Sequence, residues 1–587
     1  MLEHTKAPIC ENRKTVRNKV DLSSDPDLLF LNPWRDKGLK LLEPPSFVWR
    51  EVGGALIDGF AVSAHAQINA KIRSVITHTK RQKQFTRTVE INTVPAVLED
   101  ASFRKSHVMV GERLVLSGAS ASRLFNAYRW ENEQANRPPT ETIDAFLAVC
   151  RKENAGRDLA VENTFIESDL DFAVECRNTF NYFHFMTESL CQLCVLDSLG
   201  FQGNIYFHFP NQTDKHRSFA DAFVEALFPE YTGRVFFERA PKHYDLVLSA
   251  YDLVGAMAQM PEDSIEGLKG FAPKDSAVGS VDFQPVLAMN SVTTALLSLR
   301  KRALRAIEGR DCSHLPKRVF IGRSETHSRN RPLDGQDMLM EHLRPLGFKY
   351  AVFEDLQPLD QIALMAHAEM MVSPHGAGFT NMMFAAPDAY VIELGTLQTA
   401  QHRWADFWPM AHAAQCRYLS FFADFSTDNP LLEPDFGIDG IVPTALSTVA
   451  VSQISTFIAA VLGPVPAVSS IKNLNLLGKR TLRAGAVAQT IALLDYHNDM
   501  VLTDGALCLL RADCHKALDQ PKSELVAIDQ AYHADPKRWQ TLVRMIWCAN
   551  RCERPEVIRW ALTRLAADFP ERHDTFVANH DWVRFVA

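Results

Sequence analysis

The chain runs to 587 residues, more than a single ordinary domain of roughly 100–200 residues would use, so about three domains are expected. An apolar fraction of 47% and a charged fraction of 22% belong to a globular protein with a large core and exclude wholesale disorder. The net charge of −8, without any long Lys/Arg block, argues against a nucleic-acid partner, which would need a basic face.

In chain order, Met1 to Asn18 is polar and mixed in charge. It lacks the apolar stretch of a signal peptide, and a cytoplasmic protein is expected, with peripheral contact at the inner membrane face as an extension of that reading. Eleven cysteines without a framework fit reduced thiols. Pro44-Pro45 and the basic run Lys80 to Lys83 read as loops, and residues 1–100 form an N-terminal segment whose fold the pattern leaves open.

Residues 101–290 read as a first Rossmann-like domain. Strands are expected at Phe172–Cys176, Ile205–Phe209, Val235–Glu238 and Leu246–Ala250. A helix is expected from Tyr182 to Leu199, with Met186, Leu190, Leu193 and Cys194 on one face. Strands separated by helices predict a parallel sheet covered on both faces. Cys191 and Cys194 form a C-x-x-C on that apolar stretch, where packing is the better reading than zinc.

Residues 291–470 read as a second such domain, with a linker expected within Met260 to Arg310. Strands are expected at Val319–Ile321, Tyr350–Phe353, Met370–Val372 and Val391–Leu394. Asp334 reads as a helix N-cap and Gly347 as a helix stop. The uncharged run between Asp439 and Lys472 reads as a buried amphipathic helix over Ala445 to Leu462 rather than a membrane span. From about Asn473 to the end, residues 471–587 read as an all-helical unit with a 34-residue period. Pro536 and Pro570 keep it, as do Leu494, Ile528 and Leu562, and Leu493, Ala527 and Ala561. The pattern predicts a tetratricopeptide-like extension that presents a binding surface to a protein partner and is dispensable for chemistry.

Three clusters carry chemistry. In Val372–Phe384 an apolar strand runs into His375-Gly376-Ala377-Gly378 and then a helix with Asn381. Glycines allow close backbone approach, and outward amides at a helix start favour negative charge, so the loop can cradle a diphosphate with help from His375. The competing reading is a tight turn with a capping histidine. Arg323 ends the first strand of the same domain, with Arg329 and Arg331 in the following loop as further phosphate contacts or as solvated residues. Glu393 lies inside an otherwise apolar strand, where a ribose diol or a buried cation could be its partner. In Asn181–Glu188, His184 and Glu188 stand four residues apart, one helical turn on from Asn181. Either side chain can take a proton from an attacking hydroxyl; histidine as a residue type is suited to this near neutral pH, and a packed, capped helix start is the alternative.

These clusters resemble glycosyltransferase family 61. The resemblance spans roughly Val161 to Leu419 and rests on Asn181–Glu188, the arginine segment Val319–Leu333, and Gln361–Leu394, including Ser373-Pro374-His375-Gly376-Ala377-Gly378, Asn381, Phe384, Pro387 and Val391-Ile392-Glu393-Leu394. It implies an α/β protein with a GT-B-like pair of Rossmann-like domains, the first on the acceptor side and the second binding the nucleotide sugar. It also implies an inverting transfer of xylose, arabinose or N-acetylglucosamine without a metal or other cofactor. Bacterial relatives of this kind are labelled capsular polysaccharide biosynthesis proteins. Together with the motif readings above, this gives His184 and Glu188 as the expected catalytic groups and Asn181 on the acceptor side. Arg323, Arg329, Arg331, His375, Gly376, Ala377, Gly378, Asn381 and Glu393 would lie around the donor. A UDP-sugar is the favoured donor, and a glycan or lipid-linked saccharide the acceptor. The chain departs from the family at Arg331-Pro332-Leu333-Asp334-Gly335, where Arg-x-x-Asn-Glu is usual, and at Phe185, where Trp is usual.

Three other readings compete. One is a non-catalytic glycan- or nucleotide-binding protein with a helical interaction module. Another is a metal-dependent GT-A transferase using Asp169-Leu170-Asp171. A dinucleotide-dependent oxidoreductase lacks a full Gly-x-Gly-x-x-Gly after a strand.

Overall fold

The computed structural model describes residues 22, 24–43, 45–46, 50–104, 107–134, 139–157, 169–176, 181–209, 218–323 and 332–585. Its first large sheet has eight strands. Val235–Glu238, Ile205–His208, Phe172–Glu175 and Lys242–Asp252 lie side by side in parallel, at the positions the apolar runs predict. The other half is antiparallel. Thr93–Arg104 pairs along Lys242–Asp252 and carries Leu39–Leu41 and the His107–Val110 hairpin strand. The sheet is therefore mixed, where strand–helix alternation predicted a parallel one. In the antiparallel half Thr93–Arg104 lies against Lys242–Asp252 and turns directly into His107–Val110, with no helix between those two consecutive strands. Six consecutive buried residues at the start of Thr93–Arg104 show that both faces of that strand are covered.

The second sheet has seven strands. Lys349–Ala351, Arg318–Ile321, Met370–Pro374, Tyr390–Thr396 and Arg417–Phe425 run parallel, and Thr444–Ala445 closes one edge antiparallel. Leu56–Ala61, from the segment left open by the sequence, joins this sheet parallel to Arg417–Phe425. Residues 1–100 thus supply strands to both large sheets. Lys80, Arg81 and Lys83, read as a loop, form the last turn of the helix Ala66–Lys83, where positive charge suits the helix dipole. The expected linker is also structured. Glu262–Lys269, Phe283–Asn290 and Thr294–Ala306 are helices, the last capped by the Thr293 hydroxyl and burying Leu296, Leu299 and Ala303.

Asp334 does not cap the next helix. Gly335, at φ 81°, takes that position before Gln336–Leu343, and the Asp334 carboxylate accepts from the Ser426 hydroxyl instead. Gly347 ends the following turn at φ 86°, as expected. The run after Asp439 forms the helix Thr448–Leu462, capped by Ser447, and Ala445 belongs to the closing strand. Among the described residues no helix is long and apolar enough to cross a membrane.

One hydrophobic core spans the two large sheets. Phe172, Val174 and Phe207 of the first belong to the same cluster as Val319, Met371 and Val391 of the second. A second core lies on the far face of the second sheet, beneath Thr448–Leu462. It also contains Leu474, Leu477, Leu493, Leu494, Leu507 and Leu510, from the helices Ile471–Arg483, Val487–Tyr496 and Gly505–Ala517. Arg483 pairs with the buried Asp58, and Arg480 donates to the Ala61 carbonyl at 2.8 Å. The start of the helical region is therefore built into the second sheet. Its distal helices, Pro521–Ala534, Trp539–Arg551 and Pro555–Asp568, share a separate cluster. Leu494, Ile528 and Leu562 are all buried, as are Leu493, Ala527 and Ala561, so each periodic set falls on matching inward faces.

Candidate active site

The strand Phe172–Glu175 ends at the junction of the two sheets, and Asn181 opens the next element. The Asn181 side chain accepts from the His184 amide at 3.4 Å and so caps the turn that carries His184. One α-turn, Tyr182–His184, leads into a π-turn, Phe185–Ser189, and then a 3-10 segment, Leu190–Ser198. The sequence predicts a regular helix here, because apolar residues three and four apart satisfy all three windings. Inserted π-turns are frequent at functional sites. Cys191 and Cys194 are buried free thiols in this segment.

His184 Nδ1 lies 2.8 Å from Glu188 Oε1 and donates to it. The other carboxylate oxygen of Glu188 accepts from Arg123 Nη1 at 3.1 Å. Arg123 Nη2 in turn reaches both oxygens of Glu175, at 2.8 and 2.9 Å. Two carboxylates thus share one guanidinium. Burial pushes the Glu175 carboxyl above its usual range, against Arg123, while Glu188 adds to the rise. Glu188 is fixed on two sides, and among the described residues His184 Nε2 has no hydrogen-bond partner. Sequence reasoning missed Arg123 and Glu175. The signal for Glu175 was available, since it is a lone carboxylate in a buried strand, as Glu393 is.

In the second sheet, Met370–Pro374 ends in His375 and Gly376, and Ala377–Phe384 winds as a 3-10 helix. Arg323, two residues beyond Arg318–Ile321, donates to the His375 carbonyl. A side chain at Gly376 would bring its Cβ to 2.5 Å from Arg323 Nη2, so glycine is what lets the guanidinium lie across the loop. A Cβ at Gly378 would press on the Phe353 ring at 3.2 Å. His375 Nδ1 donates to Glu393 Oε1 at 2.5 Å. Glu393 Oε2 accepts from Tyr418 at 2.6 Å and Ser420 at 2.8 Å. Glu393 is fully buried. Where a ribose diol or a buried cation was expected, both Glu393 oxygens meet protein groups, and Oε1 orients the His375 ring. Asn381 is also buried, accepting from the Tyr182 hydroxyl at 2.5 Å and donating to Gln361 at 3.0 Å. That chain ties the His184 turn of the first sheet to the His375 loop of the second. Arg329 and Arg331 lie outside the described residues.

The two histidines are brought together by a turn that the sequence did not single out. In Trp404–Phe407, the Phe407 ring lies 5.5 Å from His375 and 5.7 Å from Phe183, centroid to centroid. Burial raises the neighbouring Asp406 carboxyl above its usual range, while Arg403, His375 and His184 each draw it down. Glu175 ends a parallel strand, and His184, Arg323 and His375 come after the carboxyl ends of parallel strands, where open α/β sheets bind ligands. Asp169 and Asp171 stand at the opposite end, before Phe172–Glu175. There Asp171 Oδ1 accepts from the Asn204 side chain at 3.3 Å.

Residues 182–392 match the family model described as Glycosyltransferase 61. The chain carries a glycosyltransferase 61 domain. The match takes in His184, Glu188, Arg323, His375 and Asn381, and stops one residue short of Glu393. Arg123, Glu175 and Asp406 lie outside it, so part of the site is supplied by flanking chain. The departure from the glycosyltransferase 61 pattern at Gly335 has a structural counterpart. A Cβ there would sit 2.4 Å from the Leu446 carbonyl on a backbone of positive φ, so this turn has no room for a glutamate. No curated protein matches the chain closely enough to count as a relative.

Proposed function

We propose that the protein is an inverting glycosyltransferase that moves a sugar from a nucleotide-sugar donor, a UDP-sugar in the favoured case, onto a glycan or lipid-linked saccharide. It works without a metal, from a GT-B-like pair of Rossmann-like domains, in the cytoplasm. The observation that carries this reading is His184, backed by Glu188, standing at the same junction as the Arg323–His375 loop. His184 Nε2 takes the proton of the attacking hydroxyl as the new glycosidic bond forms, and Glu188 stabilises the imidazolium. The bond from the anomeric carbon to the diphosphate breaks on the opposite face, which inverts the configuration. Arg323, His375 and the amides that follow Gly376 meet the charge of the departing diphosphate. Glu393 keeps Nδ1 of His375 as the donor toward itself, so that Nε2 faces the phosphates. The helical C-terminal region offers a surface for a protein partner or for the acceptor.

The test is a panel of nucleotide sugars, with release of nucleotide as the readout and an arm containing EDTA. One donor class should be hydrolysed or transferred, unaffected by EDTA, and the product should show inverted anomeric configuration by NMR. Abolition by EDTA with rescue by Mn or Mg would sink the metal-independent mechanism. Binding without turnover across all donors and acceptors would favour a non-catalytic binding protein.

A further inference from the structure

Among the described residues four carboxylates, Glu175, Glu188, Glu393 and Asp406, stand near the junction, and three are fully engaged. Glu393 is held by His375, Tyr418 and Ser420. Glu188 is held by His184 and Arg123, and Glu175 by Arg123 through both oxygens. Asp406 differs. Its Oδ2 meets Arg403 Nη1 at 3.3 Å, a long contact, and its Oδ1 has no partner among the described residues. The side chain is 30% exposed. An ionised carboxylate has about four acceptor sites, and most of those on Asp406 meet no described residue.

Its position defines what those sites can meet. In an inverting transfer the attacking hydroxyl and the leaving diphosphate stand on opposite faces of the anomeric carbon, so the transferred sugar lies between the group that holds each. Here those groups are His184 and His375. Asp406 lies close enough to both rings for either, as an imidazolium, to lower its pKa, and the adjoining Phe407 ring lies against His375 on one side and Phe183, the neighbour of His184, on the other. Each of the other three carboxylates is turned toward protein partners. We propose that Asp406 binds the transferred sugar, accepting hydrogen bonds from its ring hydroxyls, and thereby sets which sugar the enzyme uses. The inference rests on the glycosyltransferase reading above. A carboxylate that bonds a hydroxyl of the right epimer is left unsatisfied by the wrong one, and discrimination of this kind is stronger than that of an apolar pocket. Asp406 lies beyond the stretch that matches the family, so the choice of sugar would be set by a part of the chain free to differ from its relatives.

The experiment uses the full chain and two substitutions, Asp406→Asn, which keeps the shape, and Asp406→Glu, which keeps the charge but moves it. Calorimetry compares UDP with UDP-glucose, UDP-galactose, UDP-xylose and UDP-N-acetylglucosamine, followed by GDP and dTDP with their sugar nucleotides. The wild type should bind one sugar nucleotide more tightly than its parent nucleotide. Asp406→Asn should leave the parent nucleotide within about twofold, lose on the order of tenfold of the extra affinity contributed by the sugar, and keep its melting temperature. Asp406→Glu should fold normally and change the order of preference among the sugars. An unchanged ratio of sugar nucleotide to nucleotide in both variants would overturn the proposal, as would an equal loss for both ligands. A wild type that binds none of the nucleotides would overturn the donor-site reading along with it. Intact nucleotide binding with an unaltered sugar increment removes Asp406 alone.

Discussion

The pairing of His184 with Glu188 suits the division of work in which His184 is the base and Glu188 orients it. Glu188 is anchored by Arg123 and has its other oxygen on His184 Nδ1, so the imidazole is the group able to meet an acceptor. His184→Ala should lose ~10²–10⁴-fold in turnover with nucleotide affinity unchanged, and Glu188→Gln should lose less. Steady-state kinetics beside calorimetry decide this, and normal turnover in both variants would make the turn structural. Arg123 is the linchpin of the network. Arg123→Met leaves Glu175 and Glu188 without their shared cation, and should lower stability by ~3 kcal/mol and depress activity. Adding Glu175→Gln should recover part of the stability, measured by chemical denaturation. No recovery would show that the guanidinium is not offsetting carboxylate charge.

At the scale of elements, the helix Trp408–Ala414 follows directly on the Asp406 turn and carries a buried histidine that should make stability depend on pH. His412 Nδ1 accepts from the Ala55 amide at 3.1 Å, and burial lowers its pKa from 6.5 to about 4. The folded chain keeps this ring neutral while the unfolded chain takes up a proton first. Its contribution is therefore complete above pH 6.5 and is lost as pH falls to about 4, a difference worth ~3 kcal/mol. His208, lowered to about 3 by burial and by Lys242, acts in the same direction. Asp252, which burial raises to about 6, opposes them, because its folded form resists ionisation. His412→Gln, which keeps an acceptor for Ala55, should flatten the drop in melting temperature between pH 6.5 and 4. An unchanged slope would assign the acid sensitivity elsewhere. Elements of this kind were legible in the sequence where they form continuous apolar runs, as at Val319–Ile321 and Val391–Leu394. The first hundred residues were opaque because strands such as Leu39–Leu41 and Leu56–Ala61 are short and pair with chain far away in sequence. The histidines, Arg323 and Glu188 could be read from local motifs. Arg123 and Asp406 could not, because their roles depend on neighbours that only the tertiary fold supplies.

For the whole molecule, the helical C-terminal region divides in two. A chain ending at Lys472 would strip Leu474, Leu477, Leu493 and Leu494 from the second core and leave the buried Asp58 without Arg483. It should aggregate or lose cooperative unfolding, so the expectation that everything after about Asn473 is dispensable does not fit the packing. A chain ending at Gln520 removes most of the separate distal cluster, and should keep nucleotide binding and a cooperative melt by circular dichroism. Equal melts for the two truncations would refute this division. The strand Leu56–Ala61 has a consequence for how the chain comes into being. Its partner Arg417–Phe425 is made about 360 residues later, a delay of roughly 20–70 s at ordinary rates of ribosomal synthesis. Through that interval Leu56–Ala61 emerges with its partner strand unmade, while the next strand, Thr88–Ile91, can already pair with Arg50–Val52 in a separate three-stranded sheet. Nascent chains of this protein should therefore depend on a holding chaperone, and a ribosome stalled before residue 417 should carry a protease-sensitive N-terminal segment.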